Sequence, residues 1–285
     1  MDSSQWKLYL YYASFLVGYV VAFFINLITF YKYKTTQKRV WLYSLTFVYG
    51  FLGAMVGAIL YNQIYHSLVN SILHSKLALF GAVVLVPVFE IVTVLIEKRV
   101  RGAVNRNRIK TGLRPPLPPV SVRDTLDMLA PNVFLVIAFG KIGCHINGCC
   151  FGIECGFGIE RVLDKKPTHV FPVQLLEAGL IFLMLILVYF LKQRPFYRRG
   201  MAYPLTAACY CVIRFGVEFL RWYEPEMRHA VLGMTLWQFC SILVFLSSLI
   251  SLFILYRTGA SAPLPKSAAA ARRAESRTSR QKKKR

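Results

Sequence analysis

The sequence predicts an all-α polytopic membrane protein with seven transmembrane helices, and three observations support this fold class. The 285-residue chain is 56% hydrophobic with a mean hydropathy of +0.47, whereas soluble domains are nearer to about 45–50% apolar. Its apolar residues fall in seven runs close to the roughly 20 residues that span hydrocarbon. The alternating segments of a membrane β-barrel are absent from the sequence. The spans are therefore predicted to be helices, which satisfy their own backbone groups inside lipid.

The predicted spans follow one another along a single domain, which covers residues 1–257. The first run is too long for the apolar core of a cleavable signal peptide, so a retained helix is predicted there. Residues 258–285 are predicted to form a basic, disordered tail. The seven spans are 8–31, 40–62, 77–97, 125–144, 172–191, 201–221 and 232–256.

The net charge of +22 raises the question of a nucleic-acid partner, and the placement of the charges argues against one. Of the 35 Lys and Arg residues, 26 fall in loops on one side of the seven-span arrangement and seven on the other. The positive-inside rule then predicts an N-terminus outside and a C-terminus in the cytoplasm. The excess charge is explained by topology and by attraction to anionic membrane lipids. No nucleic-acid partner is predicted.

Two connecting segments differ in composition from the spans. Residues 101–124 are basic and then proline-rich, which predicts an extended cytoplasmic linker. Residues 145–171 contain several glycines and are predicted to lie outside, without forming one continuous helix. Irregular backbone at membrane depth is tolerated only where protein or a water-filled cavity covers it, so a cavity is expected nearby.

Ionisable side chains inside predicted spans are functional candidates because burying them in lipid is costly. The sixth span carries Tyr210, Arg214, Glu218 and Arg221 at spacings of four, four and three residues. These spacings place all four side chains on one helical face. The pattern predicts ion pairs of Glu218 with Arg214 and with Arg221, and a purely structural ladder of charges is one interpretation of it.

A second intramembrane cation, Lys141, lies in the fourth span and is expected to have no partner of its own. Together with Arg214 on a facing helix, it predicts a pocket for a phosphodiester, held by charge-assisted hydrogen bonds. Glu177 lies one turn after Gln174 in the fifth span, and Glu90 interrupts the third. Such carboxylates would orient the cations or accept a proton.

Cysteines are concentrated in and just after the stretch GKIGCHINGCCFG (140–152), which continues the fourth span. Cys144, Cys149, Cys150 and Cys155 have the spacing C-x4-C-C-x4-C, which is not the C-x2-C pair of zinc sites and thiol oxidoreductases. Three interpretations remain open: a metal site with His145, a disulfide staple in an outward-facing loop, or small residues lining a pocket. The pattern assigns no metal and no cofactor.

These motifs resemble the prolipoprotein diacylglyceryl transferase family over residues 15–256. The family motif Tyr-x-x-x-Arg-x-x-x-Glu-Phe-x-Arg is complete at 210–221. The stretch FPVQLLE (171–177) is similar to the family's His-Pro-x-Gln-Leu-Tyr-Glu. The stretch GKIGCHINGC (140–149) is similar to its signature near the fourth helix, and GMTLWQ (233–238) to the start of its last helix.

The resemblance implies an enzyme of the bacterial inner membrane that needs no cofactor. Phosphatidylglycerol enters from the bilayer, and the lipobox cysteine thiol on a prolipoprotein signal peptide attacks the glyceryl carbon next to the phosphate. A thioether forms and glycerol phosphate leaves. The implied catalytic residues are Arg214, Lys141, Glu218 and Tyr210, and His145, which replaces the signature phenylalanine, is a candidate catalytic base. The implied substrate-binding residues are Lys141, Asn147, Gln174, Glu177 and Arg221.

The chain also departs from the family pattern. Lys141 stands in place of the signature arginine, and cysteines 144 and 149 replace an asparagine and an acidic residue. The family's His-Gly-Gly motif is missing, since residues 78–81 read ALFG. His145 or His74 could supply the missing base. Two other functions stay open: a phospholipid-binding or transport protein without chemistry, and a membrane thiol oxidoreductase built on the cysteines.

Overall fold

The computed structural model describes residues 3–33, a few residues between 48 and 63, and residues 79–112, 121–163, 166–223 and 232–258. Within these residues the chain forms six long helices and one β-hairpin, so the prediction of a mainly helical protein is confirmed. The elements are α1 (Ser3–Tyr33), α2 (Leu79–Thr111), α3 (Val122–Asn147), β1 (Glu154–Leu163), β2 (Lys166–Val170), α4 (Val173–Leu191), α5 (Ala202–Glu218) and α6 (Leu236–Thr258).

Three of the described helices, α3, α4 and α6, are long and apolar enough to cross a membrane, and Tyr9–Ile25 of α1 forms a shorter apolar stretch. This agrees with a helical membrane protein. The predicted spans 8–31, 77–97, 125–144, 172–191, 201–221 and 232–256 each overlap a described helix. The predicted span 40–62 lies largely outside the described residues, as do His74 and almost all of the predicted tail.

Helix α3 is the centre of the described bundle and packs against α1, α2, α4 and α5. Its Phe134 and Ile137 are fully buried with Ile181 of α4 and Tyr210 of α5. In its most apolar stretch 71% of the residues are buried, against 11% for α6. Among the described helices, α6 is therefore a peripheral element that contacts α5, and apolar side chains such as Leu243 and Phe253 are exposed.

Glycines allow α1 and α3 to approach closely. A Cβ added at Gly140 or Gly143 of α3 would overlap the ring of Phe15 or the hydroxyl of Ser14 on α1. A Cβ added at Gly18 of α1 would meet the side chain of Phe139 at 2.8 Å. Small residues at such crossings let helix backbones pack directly inside a membrane, where no hydrophobic force drives association. The glycines of the 140–152 stretch thus fix the position of α1 beside the candidate site.

The segment after α3 folds as an antiparallel hairpin, which the all-α prediction did not contain. Strand β1 pairs with β2 in the register Glu160↔His169 and Arg161↔Thr168, with a bulge between Glu154 and Ile159. Gly158 lies in that bulge at φ +129° and its Cα faces the carbonyl oxygen of Val170, a place that only glycine fits. The prediction that residues 145–171 do not form one continuous helix is confirmed.

Helix α2 extends beyond the predicted span and includes residues up to Thr111. The prediction of an extended linker over 101–124 is therefore wrong for its basic first half, which continues the helix. That half contains no proline before residue 115, so no strong helix breaker ends the helix earlier. The proline-rich part lies in 113–120, outside the described residues.

The start of α3 is tied to the connection between α4 and α5 by two aspartates. Asp127 accepts hydrogen bonds from the backbone N–H groups of Gly200 and Ala202, both at 2.9 Å, and from the Tyr197 hydroxyl. A carboxylate at this place caps the N-terminus of α5 and complements its dipole. Asp124 pairs with Arg199 through two hydrogen bonds of 2.8 and 2.5 Å. This contact orients α5 and its ionisable face.

Candidate functional site

The ionisable face of α5 forms the ion pairs predicted from its spacing. Arg214 Nη2 lies 2.9 Å from Glu218 Oε2, and Arg221 Nη1 lies 3.8 Å from the same oxygen. Arg214 and Glu218 are each 3% exposed. The helical geometry alone brings the three groups together, since they are four and three residues apart. The prediction of these two pairs is confirmed.

Glu177 of α4 joins this ladder to α3, and here one expectation is wrong. Lys141 is not without a partner, because its Nζ lies 2.7 Å from Glu177 Oε2. The same oxygen lies 3.4 Å from Arg214 Nη1, and the Tyr210 hydroxyl donates to Glu177 Oε1 over 3.4 Å. A lone cation buried between helices would be costly, and a carboxylate from the neighbouring helix offsets that cost. One carboxylate thus collects side chains from α3 and α5.

Three side chains that the sequence interpretation missed complete the environment of Glu218 and Arg214. Thr235 and Tyr223 donate hydrogen bonds to Glu218 Oε1 over 2.9 and 2.5 Å. The Trp237 ring centroid lies 5.4 Å from the guanidinium carbon of Arg214, a cation–π distance. No helical spacing relates these residues to α5, so the sequence held no signal for them beyond the resemblance of the stretch 233–238 to a family motif.

The described cluster carries more positive than negative formal charge. Lys141, Arg214 and Arg221 supply three cationic side chains, while Glu177 and Glu218 supply two carboxylates. In a region of low dielectric such an imbalance attracts an anion strongly. The net positive charge of the cluster therefore suits it to one negative group, such as a phosphodiester.

A turn rich in cysteine and glycine follows α3 and lies against this cluster. Gly148 ends the helix in the left-handed conformation at φ +77°, and its N–H and that of Cys149 bond to carbonyls of the last turn. Gln174 Nε2 donates to the Cys149 carbonyl over 2.6 Å. The Asn147 side chain interacts with the Cys149 thiol. Gln174 and Asn147, both predicted to bind substrate, thus hold the turn in place.

All seven cysteines are free thiols in the structure. The sulfur atoms of Cys144, Cys149 and Cys150 lie within 4.8 Å of one another. Hydrogen bonds from the thiols of Cys144 and Cys149 hold the pKa of the Cys150 thiol well below its usual range, against the opposing effect of burial, and the charges of Arg221 and Lys141 lower it further. Cys150 is consequently set up to be a thiolate.

His145 occupies the last turn of α3, beside the hairpin rather than within the ion-pair cluster. Its backbone carbonyl accepts a hydrogen bond from Arg161 over 3.4 Å, and its ring Nδ1 is buried without a hydrogen-bond partner among the described residues. The Oε1 atom of Gln174 is in the same situation. Glu90 of α2 is buried at 1% exposure.

The fold and the site together define a helical membrane protein with a buried, net-positive ion-pair cluster at one end of its central helix. The chain belongs to the prolipoprotein diacylglyceryl transferase family, whose sequence profile matches residues 2–254. That match includes the whole of the described bundle up to the last turn of α6.

Individual relatives are similar over shorter stretches. A protein of Clostridium tetani, named phosphatidylglycerol–prolipoprotein diacylglyceryl transferase, is 31% identical over 101 residues, which are 34% of this chain and 40% of the relative. A protein of the same name from Hydrogenovibrio crunogenus is 33% identical over 122 residues, 40% of this chain and 44% of the relative. A Janthinobacterium protein of that name is 29% identical over 143 residues, 48% and 53% of the two chains. The chain spans about two fifths to one half of the length of these relatives.

Proposed function

We propose that the protein transfers the sn-1,2-diacylglyceryl group of phosphatidylglycerol to the lipobox cysteine thiol of prolipoproteins. The observation that carries this proposal is the convergence of Lys141, Arg214 and Arg221 on two buried carboxylates. The cluster lies in the part of the chain matched by the family profile, and it has the excess positive charge that a phosphodiester needs. The relatives named above bear the name of this activity.

The reaction requires charge stabilisation more than it requires a covalent intermediate. The thiolate sulfur attacks the glyceryl carbon next to the phosphate, a C–S bond forms, and the C–O bond breaks. The leaving glycerol phosphate takes the bonding electrons onto its phosphate oxygens. Arg214 and Lys141 stabilise this developing charge, since buried cations act most strongly where water is excluded.

The two carboxylates and Tyr210 position these cations. Glu177 holds Lys141 and Arg214 at a common oxygen, and a phosphate that enters would replace part of that contact. Glu218 holds Arg214 and Arg221 at its Oε2 atom. The Oε1 atom of Gln174 is buried without a hydrogen-bond partner among the described residues and is available to a headgroup hydroxyl. The Asn147 side chain interacts with the Cys149 thiol of the adjoining turn. These residues are therefore proposed to bind substrate.

The acceptor thiol must lose its proton before it attacks. His145 is proposed to take that proton, because its Nδ1 is buried and has no hydrogen-bond partner among the described residues. Its distance in sequence from Lys141 is one helical turn, which puts it on the same side of α3. The protein has no histidine in the stretch 78–81, where the family has one, so a base from elsewhere is needed.

The proposed activity fits a particular arrangement in the membrane. Seven spans, an N-terminus outside and a C-terminus in the cytoplasm would put the cysteine turn at the outer surface, where a translocated signal peptide could meet it. The bacterial inner membrane is the proposed location, with anionic lipids around the basic loops. Residues 1–257 would form the transferase domain and 258–285 the basic tail, without a nucleic-acid partner.

The proposal is tested with purified protein, phosphatidylglycerol vesicles and a synthetic lipobox peptide. The expected result is a peptide whose cysteine gains the mass of one diacylglyceryl group. Arg214→Gln should reduce the rate by about 100-fold or more, as the loss of one donor to a developing anion usually does. The matched control is Arg101→Gln, whose side chain pairs with Glu97 on the partly exposed end of α2.

Absence of any mass gain, under conditions in which a family relative modifies the same peptide, would refute the transfer reaction. The second candidate is a phospholipid-binding protein without chemistry, favoured by the engagement of both Lys141 and Arg214 with Glu177. The binding function would be distinguished from transfer by stoichiometric binding of phosphatidylglycerol that is later released chemically unchanged. Growth rescue of a strain lacking its own diacylglyceryl transferase would exclude it.

A further inference from the structure

The cysteine turn after α3 holds a second site, distinct from the ion-pair cluster. Cys144 belongs to the last turn of the helix, whereas Cys149 and Cys150 follow the left-handed residue Gly148. This reversal brings three sulfur atoms within 4.8 Å of one another. Neither the family match nor the proposed reaction gives these three thiols a task.

The backbone of the turn is strained where it brings the three thiols together. Cys150 has φ +60°, in the left-handed region that non-glycine residues rarely occupy. Such strain persists only where the surroundings fix it, and it is concentrated at functional sites. Here Gln174 holds the Cys149 carbonyl, and an isolated β-bridge joins Gly152 to Arg221 on the far side of the turn. The turn is therefore preorganised on both sides.

We propose that Cys144, Cys149 and Cys150 bind one soft d10 metal ion, Cu⁺ or Zn²⁺, through their thiolates. Thiolate ligands select these ions from the hard cations that prefer oxygen. A metal–sulfur bond of about 2.3 Å places three sulfurs about 3.8–4.0 Å apart, so the observed separations close by about 1 Å or less through side-chain rotation. Three ligands suit Cu⁺ directly, and Zn²⁺ would add a water as its fourth.

The charge of the surroundings supports thiolate ligands. Each ligand that is still a thiol loses its proton to the solvent on binding, and a site with three thiolates and Cu⁺ carries two negative charges. The cationic side chains of Lys141 and Arg221 are close enough for their positive charge to act on Cys150. Cys149 and Cys150 are partly exposed, which leaves a path for the ion. The site lies beside Lys141 and Arg221 of the proposed transferase site, and the metal titration that tests it needs no measurement of activity.

The experiment uses the full chain in detergent, reduced and freed of metal under anaerobic conditions. It is titrated with Cu⁺ against a chromogenic chelator, and with Co²⁺ as a spectroscopic substitute for Zn²⁺. We expect one ion per chain and a sulfur-to-Co²⁺ charge-transfer band. Cys144→Ser, Cys149→Ser and Cys150→Ser should each weaken binding by more than about 100-fold, beyond the loss that a second-shell partner causes. Cys240→Ser and Cys155→Ser are the matched controls and should bind as the parent does.

A second measurement on the unaltered protein guards against variants that fail to fold. The rate of N-ethylmaleimide labelling is measured for each cysteine by peptide mass spectrometry, with and without the metal. Cys144, Cys149 and Cys150 should be protected by the metal, whereas Cys155 and Cys240 should not. Equal labelling of the three thiols with and without Cu⁺ and Zn²⁺ would overturn the proposal. Undiminished metal binding by the triple serine variant would also overturn the proposal. A disulfide among the three cysteines would overturn it as well, if metal binding did not return once that disulfide was reduced.

Discussion

Glu177 Oε2 lies 2.7 Å from Lys141 Nζ and 3.4 Å from Arg214 Nη1, so one buried carboxylate oxygen links the central helix α3 to the charged face of α5. Glu177 is 1% exposed and comes from a third helix, α4. Three helices therefore meet at one atom. Both the stability of the bundle and the affinity of the cluster for an anion depend on this arrangement.

Replacing Glu177 should destabilise the protein more than replacing Lys141. Glu177→Gln leaves two buried cations without their shared carboxylate, whereas Lys141→Met leaves Glu177 paired with Arg214. Removing one partner of a buried ion pair costs about 3–5 kcal/mol, and Glu177→Gln should reach that range. The measurement is the free energy of unfolding in mixed micelles. Glu97→Gln, in a partly exposed pair, should cost about 0–1 kcal/mol. Equal effects at the two buried positions would contradict the central role of Glu177.

Lys141→Arg should retain most of the transferase activity, and Lys141→Gln should lose it by about 100-fold. Arginine keeps the charge and adds the planar fork that suits phosphate, while glutamine is polar but shorter and carries no charge. The measurement is the initial rate of diacylglyceryl transfer to a lipobox peptide. If Lys141→Gln were as active as the parent, Lys141 would have no part in stabilising the leaving phosphate.

Gly143→Leu should separate α1 from α3 and destabilise the bundle by about 1–3 kcal/mol, the usual cost of overpacking. A side chain at Gly143 collides with Ser14, as one at Gly140 collides with Phe15. Gly216→Ala on α5 is the control, because a Cβ there meets nothing within 4 Å. That change should be neutral or stabilise the helix by up to about 1 kcal/mol. Thermal unfolding in detergent compares the variants, and equal melting temperatures for the two would contradict close packing of α1 on α3.

Asp127→Ala should cost about 1–2 kcal/mol by removing the cap of α5. The variant loses the acceptor for the N–H groups of Gly200 and Ala202 as well as for Tyr197. Tyr197→Phe loses only one of these hydrogen bonds and should cost about 1 kcal/mol or less. Hydrogen exchange of the first turn of α5 reports the effect directly. Faster exchange in Asp127→Ala alone is expected, and unchanged exchange in both variants would refute the capping role.

Cys150 should react as a thiolate at a pH where ordinary thiols are protonated. Hydrogen bonds from the Cys144 and Cys149 thiols lower the pKa of Cys150, and the positive charge of Arg221 lowers it further. Because the pKa is depressed, reactivity persists as the pH falls from about 8.5, the value of a free thiol, and is lost only below the folded pKa. The measurement is the pH profile of labelling by a small neutral reagent in the metal-free protein. The unfolded chain is the control, and Arg221→Gln should move the folded midpoint upward. Coinciding midpoints for the folded and unfolded chains would exclude a stabilised thiolate.

The charged face of α5 could be predicted from sequence because its information is local. Spacings of four and three residues on a helix decide which side chains meet, whatever the helix packs against. The pairs of Glu218 with Arg214 and Arg221 follow from this rule alone. The N-cap of α3 is also a local feature, since Ser121 and Asp124 have the spacing of a helix start and the Ser121 hydroxyl accepts from the Asp124 N–H.

The hairpin after α3 was harder to predict, because glycines in a short segment are equally typical of loops. Its strands hold only five to ten residues, and its bulge at Gly158 interrupts the alternation that marks a strand. The partner of Lys141 could not be predicted from the sequence either. Its neighbour Glu177 is 36 positions away in the chain, and no periodicity connects α3 with α4.

The sequence by itself determined that this is a helical membrane protein with buried charge. The length of each apolar run and the spacing of charged residues along a helix can both be read from consecutive residues. The tertiary structure alone decided that Lys141 pairs with Glu177 and that Thr235 and Tyr223 bind Glu218. It also decided that the reversal at Gly148 gathers Cys144, Cys149 and Cys150. The physical reason is the same in each case. These contacts join different helices or follow a turn, and their formation depends on how the helices pack, which is a property of the whole bundle rather than of any one segment.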